Sequence, residues 1–219
     1  MSRKPVTIIG AGRAGKRAVR CLTRLGFRRI TVVDPDPGAF ESFDSQVTRI
    51  VKPGIGWLTG DGRQGERGEW IIPAVPLHLA YEWLLARLGP GARRVPVPFS
   101  AVRGLPGVME TADQGFILSR ARGLCPPDCD ERRGCSWTRA DPEPLPETLG
   151  RRTENRSLEI IRSRALAPGL GGYSRSVLDR LLRKTKSGQG MVMVATACRC
   201  HGVIHALELN QGGENVIQS

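Results

Sequence analysis

The sequence predicts an α/β chain: a short parallel-sheet unit over residues 1–98, then a smaller cysteine-rich α+β part over residues 99–219. Three observations lead there. An apolar run, Pro5-Val-Thr-Ile-Ile9, ends in Gly10-x-Gly12-x-x-Gly15 and passes straight into a helical pattern. A second apolar run, Ile30-Thr31-Val32-Val33, ends at Asp34, 19 residues beyond Gly15. Five of the six cysteines fall in two clusters in the second half.

Strand, glycines, helix, strand and acid in this order form the dinucleotide fingerprint, so the first unit is expected to be Rossmann-like. Each glycine has its own task. Gly10 allows the tight turn out of the strand, Gly12 lets a pyrophosphate approach the backbone, and Gly15 lets helix and strand pack closely. The free N–H groups of the helix start, with the helix dipole behind them, favour a bound anion. In the helix, Gly15, Ala18, Val19, Leu22 and Leu25 share one face, and Arg13, Lys16, Arg17, Arg20 and Arg24 share the other. Gly26 ends it, and Cys21, beside the apolar stripe, reads as core. A carboxylate at Asp34 would accept the ribose hydroxyls and repel a 2′-phosphate, which favours NAD over NADP. The plainer reading of Asp34 is a turn residue before Pro35.

Residues 6–38 resemble the NAD-binding N-terminal domain of the TrkA-type potassium-uptake regulators, and are similar to the start of the siroheme-synthase dehydrogenase domain. That resemblance implies Gly10, Gly12, Gly15 and Asp34 as cofactor contacts. Arg13, in the same turn, joins them as a basic candidate.

The 219 residues suffice for one large or two small domains, and 40% hydrophobic content suffices for a core. No apolar run reaches membrane-span length, and no signal peptide is read at the N-terminus. The expected setting is the cytoplasm, with no membrane insertion. A net charge of +12 invites a nucleic-acid reading. Against it, the basic residues are dispersed and aromatics reach only 5%, so stacking platforms are scarce. The basic field suits an anionic dinucleotide or acidic partners instead.

The remaining elements follow in order. A short strand is expected at 46–51, a glycine-rich loop at 60–68 and a strand at 69–73. Pro76 is expected to open a helix running to Leu88. Residues 77–88 are apolar nearly all round, which means deep burial or an interface with a protein partner or a second copy. His78, near the helix start, reads most simply as structural. A strand at 94–97 completes the first unit. In the second half, strands are expected at 115–119, 157–166, 191–197 and 203–209. Residues 139–156 read as an exposed loop. The turn at Gly169–Gly172 is either a tight connection or a second anion site before a helix at about 175–186. On that helix Val177, Leu178, Leu181 and Leu182 should face inward, and Arg175, Arg180, Arg183 and Lys184 largely outward.

Cys125-Pro-Pro-Asp-Cys129 and Cys135 form one cysteine cluster, and Cys198-Arg-Cys200-His201 the other, with His205 just beyond. A cytosolic chain rarely keeps structural disulfides, so such clusters point to metal or redox chemistry. Thiolates select zinc or an iron–sulfur cluster over hard cations. The candidate ligands are Cys125, Cys129, Cys135, Cys198, Cys200 and His201; redox thiols, or cysteines with no ligand, are the alternatives. The whole chain is similar to a group of uncharacterised bacterial TrkA-like proteins carrying Cys-Pro-Pro-Asp-Cys and Ala-Cys-Arg-Cys-His-Gly segments. This resemblance implies a cytosolic protein with a dinucleotide fold and a cysteine-rich half.

Three functions fit. One is an NAD-binding redox or redox-sensing protein with a cysteine-bound metal or thiol centre. Another is a non-catalytic, NAD-responsive regulatory module of the TrkA type. The third is a zinc-stabilised structural protein. No substrate or catalytic residue is specified by the sequence.

Overall fold

The computed structural model describes residues 4–60, 68–120, 129, 143–151 and 158–210. Strand β1 (Val6–Ile9) leads through the glycine turn into helix α1 (Arg13–Arg24) and back into β2 (Ile30–Asp34). β3 (Thr48–Val51), α2 (Gly54–Thr59), β4 (Trp70–Pro73) and α3 (Leu79–Leu88) follow. Next come β5 (Ala92–Val95), α4 (Phe99–Val102), β6 (Met109–Glu110), β7 (Phe116–Ser119) and α5 (Leu145–Arg151). The chain continues through β8 (Leu158–Arg162), β9 (Arg164–Ala167), β10 (Leu170–Ser174), α6 (Arg175–Lys186), β11 (Gly190–Ala197) and β12 (His201–Leu209).

The strands form two mixed sheets. The first runs β3-β2-β1-β4-β10-β9, and its first four strands are parallel. β10 is antiparallel to β4, and β9 to β10. The second runs β6-β7-β12-β11-β8, with β5 also paired to β12. The sheets do not divide at residue 98. β9 and β10 come from the second half and extend the first sheet, whereas β5 comes from the first half and joins the second.

Side-chain alternation builds the layers. Val6 and Ile8 of β1, with Val32 and Ile72, pack on Ala18, Val19 and Leu22 of α1. The opposite faces of this sheet (Ile9, Val33, Ile71) meet Leu58 of α2, Leu79, Tyr81, Trp83 and Leu84 of α3, and Leu178 and Leu181 of α6. Val192, Val194 and Leu207 of the second sheet close the same cluster from the far side. A single helix layer therefore lies between the sheets. Each fully buried aliphatic there contributes about 1.5–3 kcal/mol. Met193, Ala195, Ile204 and Ala206 pack outward on Val102, Leu145 and Leu149.

Several expectations are corrected. The stretch at 157–166 is two strands broken at Ser163, and each half belongs to a different sheet. Within 139–156, expected as loop, α5 forms and buries Leu145, Pro146 and Leu149; apolar residues spaced by four make this turn amphipathic despite its prolines. α3 begins at Leu79 rather than Pro76, with His78 as its N-cap residue. Its apolar surface is explained by burial between the sheets. Arg175 does not face outward; it is 4% exposed. Gly169 turns the β9–β10 hairpin at φ 62°, in keeping with the tight-connection reading, whereas Gly171 and Gly172 lie within β10. Most of the expected loop at 60–68 lies outside the described residues.

Candidate functional site: a cysteine-lined cavity beside the glycine turn

The turn after β1 has the shape its glycines predict. Gly10 adopts φ 108°, a conformation L side chains rarely take, and a Cβ there would lie 2.6 Å from the Ala74 carbonyl oxygen. Gly15 is buried against Gly10. Gly12 is different: a Cβ there would meet nothing within 4 Å. Gly12, Arg13 and Ala14 are exposed, and α1 starts without a side-chain cap or an acidic residue in its first turn. Its first N–H groups are thus left for water or a ligand. Asp34, at the end of β2, reaches back to this turn. Its Oδ2 accepts the Ala11 amide at 2.7 Å and its Oδ1 accepts the Asp36 amide at 2.9 Å. A carboxylate has about four acceptor sites, so two remain for hydroxyl groups.

A crevice of about 120 Å³ lies between α1 and the β9–β10 hairpin, lined by Ala14, Arg17, Cys21, Pro73 and Pro168–Gly171. A larger cavity of about 480 Å³ adjoins it and shares Pro73 and Gly169–Gly171. That size suits a small-molecule site. Its walls include Cys129, Thr196, Cys198, Cys200 and His201. Two loops deliver these residues. β11 and β12 join through the three residues Cys198–Cys200, where the Cys198 amide donates to the His201 carbonyl at 2.9 Å and the His201 amide donates to Cys198 Sγ at 3.3 Å. The Cys129 carbonyl accepts the Gly169 amide at 2.7 Å, which ties Cys129 to the hairpin.

Burial pushes the His201 pKa below its ordinary value. Its Nε2 is buried with no hydrogen-bond partner among the described residues. Four of the six candidate ligands thus share one cavity. Among the described residues no group of three or more is placed to hold a metal ion. Cys125 and Cys135 lie outside the described residues.

The cavity wall continues into a buried polar chain that the sequence did not announce. His78 Nε2 lies 2.9 Å from Thr196 Oγ1, and His78 Nδ1 lies 3.0 Å from His205 Nδ1. His205 Nε2 then stands 2.9 Å from Asp113 Oδ2, an ion-pair distance, without an aligned hydrogen bond among the described residues. His78 is 5% and His205 2% exposed, whereas the Asp113 side chain is 47% exposed. Tyr81 stacks on both rings, at centroid distances of 5.8 and 4.9 Å, and donates to the Ala206 carbonyl at 2.6 Å. Burial first, and the neighbouring His205 second, lower the His78 pKa to about 3. Asp113 is held at about 2, chiefly by a hydrogen bond from Thr111 and then by His205.

Comparisons with known proteins bear on the second half most directly. A family model, AF_1314_C, described as "Uncharacterized protein, C-terminal domain", matches residues 80–210. The chain belongs to this family. A protein of Archaeoglobus fulgidus, itself described as uncharacterized, is 30% identical over 217 residues, covering 92% of this chain and 98% of the relative. No solved structure matches. The AF_1314_C match begins inside α3, upstream of residue 98, and takes in His78's neighbour Tyr81 together with Asp113, Thr196 and His205. β5 sits with the second sheet accordingly.

One signal for the histidine chain was present in the sequence. His205 interrupts the apolar run Val203–Leu209, and a buried polar side chain in such a strand needs a partner. Nothing in the linear order pointed to His78 or Asp113 as that partner.

Proposed function

We propose that the chain is an NAD-binding redox or redox-sensing protein of Rossmann type, with thiols as its second reacting group. Gly10, Gly12, Arg13, Gly15 and Asp34 would hold the dinucleotide, which supplies hydride chemistry. Cys129, Cys198 and Cys200 would supply the thiols. The observation that carries this reading is the adjacency of the two spaces: the cysteine-lined cavity shares Pro73 and Gly169–Gly171 with the crevice on α1, which Ala14 of the glycine turn helps to line, whereas Gly10, Gly12, Arg13, Gly15 and Asp34 line neither. The parallel order β3-β2-β1-β4, with the glycine turn at the carboxyl end of β1, supports it, because ligands of such sheets bind outside the carboxyl ends of the strands. A zinc or iron–sulfur form of the centre would use the same cysteines with His201. The thiol form is preferred because Cys129, Cys198 and Cys200 line the cavity that adjoins the crevice on α1.

Gly12 gives the cleanest test. A side chain there disturbs nothing in the fold yet fills the space a phosphate would need. Titration with NADH, followed by fluorescence, should show saturable binding to the wild type and at least a tenfold loss in Gly12→Val. Equal affinity in the two proteins would remove the glycine turn as the site.

A further inference from the structure

We propose that Thr196, His78, His205 and Asp113 form a proton relay joining the cysteine-lined cavity to the surface. The cavity's role rests on the dinucleotide reading above; the relay itself rests on its own geometry.

Where neither ring carries a second proton, one arrangement of hydrogens fits these contacts. A carboxylate only accepts, so Asp113 fixes the proton of His205 on Nε2. His205 Nδ1 is then an acceptor, and His78 must offer Nδ1–H to it across 3.0 Å. His78 Nε2 is left as an acceptor, and Thr196 donates its hydroxyl hydrogen to it across 2.9 Å. In that arrangement the chain is polarised from the cavity toward Asp113 and each ring carries one proton. Burial enforces that neutrality at His78. The outer end is exposed and acidic, as an exit to water requires. Asp113 is half-exposed, and the relay requires its carboxylate to turn into line with His205 Nε2.

The transfer balances. A proton released in the cavity joins Thr196 Oγ1 as the hydroxyl's own hydrogen passes to His78 Nε2. The Nδ1 hydrogen of His78 moves to His205 Nδ1, the Nε2 hydrogen of His205 moves to Asp113, and Asp113 yields one to water. One proton enters, one leaves and no electrons move. The chain is now polarised the other way, with the bare His205 Nε2 facing the Asp113 carboxylate, and a proton taken back from water through Asp113 resets it as one passes inward. Oxidation of a substrate by an oxidised dinucleotide leaves one proton behind, and the reverse reaction takes one up, so alternating polarity suits a reversible couple. A hydroxyl backed by an imidazole and an orienting acid is also the arrangement of activated hydroxyls in general.

A structural histidine pair would give the same contacts, so the test reads proton positions. The chain has three histidines, which makes nitrogen-15 ring spectra assignable. In the wild type at neutral pH, His78 should carry its proton on Nδ1 and His205 on Nε2. Asp113→Lys replaces the terminal acceptor with a donor and should reverse both tautomers, including that of His78, which residue 113 does not touch. Asp113→Asn, a milder change at the same exposed site, should populate the second tautomer at both rings. If His78 keeps its wild-type tautomer in both variants, the relay is wrong. Adding NADH to the wild type should shift the His78 ring signals, and Thr196→Val should abolish that shift while fluorescence still reports binding. If NADH binds but the wild-type His78 signals stay in place, the relay does not reach the cavity. If NADH does not bind at all, the dinucleotide reading falls, and the tautomer reversal still decides the relay.

Discussion

Gly15 lies so close to Gly10 that a Cβ on Gly15 would stand 2.0 Å from the Gly10 carbonyl oxygen. Backbone atoms cannot yield to that contact as a flexible side chain would. β1 and α1 must separate, or the turn must change shape. Gly15→Ala should therefore destabilise the fold by about 3 kcal/mol or more, the upper end of overpacking penalties. Gly12→Ala, with open space around it and φ −66°, should cost under about 1 kcal/mol. Urea unfolding of the two variants separates the roles. Equal stability of Gly15→Ala and the wild type would mean the turn is not packed in this way.

Asp34 couples the same turn to β2. Its carboxylate accepts the Ala11 and Asp36 amides, so it has a structural task before any ligand arrives. Asp34→Asn keeps the shape but turns an NH₂ group toward one of these N–H donors. A loss of about 1.5–3 kcal/mol is expected, the range for hydrogen bonds to a charged group. NADH affinity should fall in the same variant. A stable Asp34→Asn protein with weakened NADH binding would show that Asp34 serves the ligand alone.

Much of the first half was legible because its signals are local. Glycine spacing, alternation in β1 and β2 and the apolar stripe of α1 all lie within 30 residues of one another, and the structure follows them. The second half depends on pairings across the chain. Ser163 looks like any strand residue, yet it is where the chain leaves one sheet for the other. Arg175 reads as a solvated base on the helical wheel, but its partner Glu69 precedes β4 and is invisible at that distance. The histidine chain joins residues 78, 113, 196 and 205, none close in sequence to more than one other. Burial forced these groups to pair, and burial is a property of the assembled layers.

His78 makes the fold acid-sensitive. Its folded pKa, about 3, lies below the ordinary value of 6.5, so the unfolded chain binds a proton that the folded chain refuses. Stability then rises with pH wherever the unfolded state holds more protons. The contribution is complete above about pH 6.5 and is lost as pH falls toward 3. The slope approaches about 1.4 kcal/mol per pH unit at its steepest. Asp113, depressed to about 2, adds a loss of the same sign below the usual carboxylate range. Urea midpoints between pH 7 and 4 should fall steadily in the wild type. His78→Asn should flatten the profile between pH 6.5 and 4, although it lowers stability at pH 7. A parallel profile in that variant would place the acid sensitivity elsewhere.

The Glu69–Arg175 pair ties the two halves together and carries the last prediction. Both side chains are under 10% exposed, and Arg175 Nη1 stands 3.8 Å from Glu69 Oε2. Glu69 Oε1 accepts the Thr7 hydroxyl at 2.5 Å, and Arg175 Nη2 donates to the Leu58 carbonyl at 3.0 Å. Among the described residues neither Glu69 Oε2 nor Arg175 Nη1 has a hydrogen-bond partner of its own, so each charge depends on the other. Burial lowers the Arg175 pKa and Glu69 opposes that shift. Removing one partner leaves an uncompensated buried charge, at a cost of about 3–5 kcal/mol. Arg175→Met should lose that much. Glu69→Gln alone should also be costly, because it leaves the guanidinium unpaired. The double variant should be more stable than the sum of the two losses predicts, with a coupling of about 1–3 kcal/mol. A double-mutant cycle in urea measures this directly. Additive losses would mean that β4 and α6 are held by the surrounding apolar layer alone, with the ion pair as a passenger.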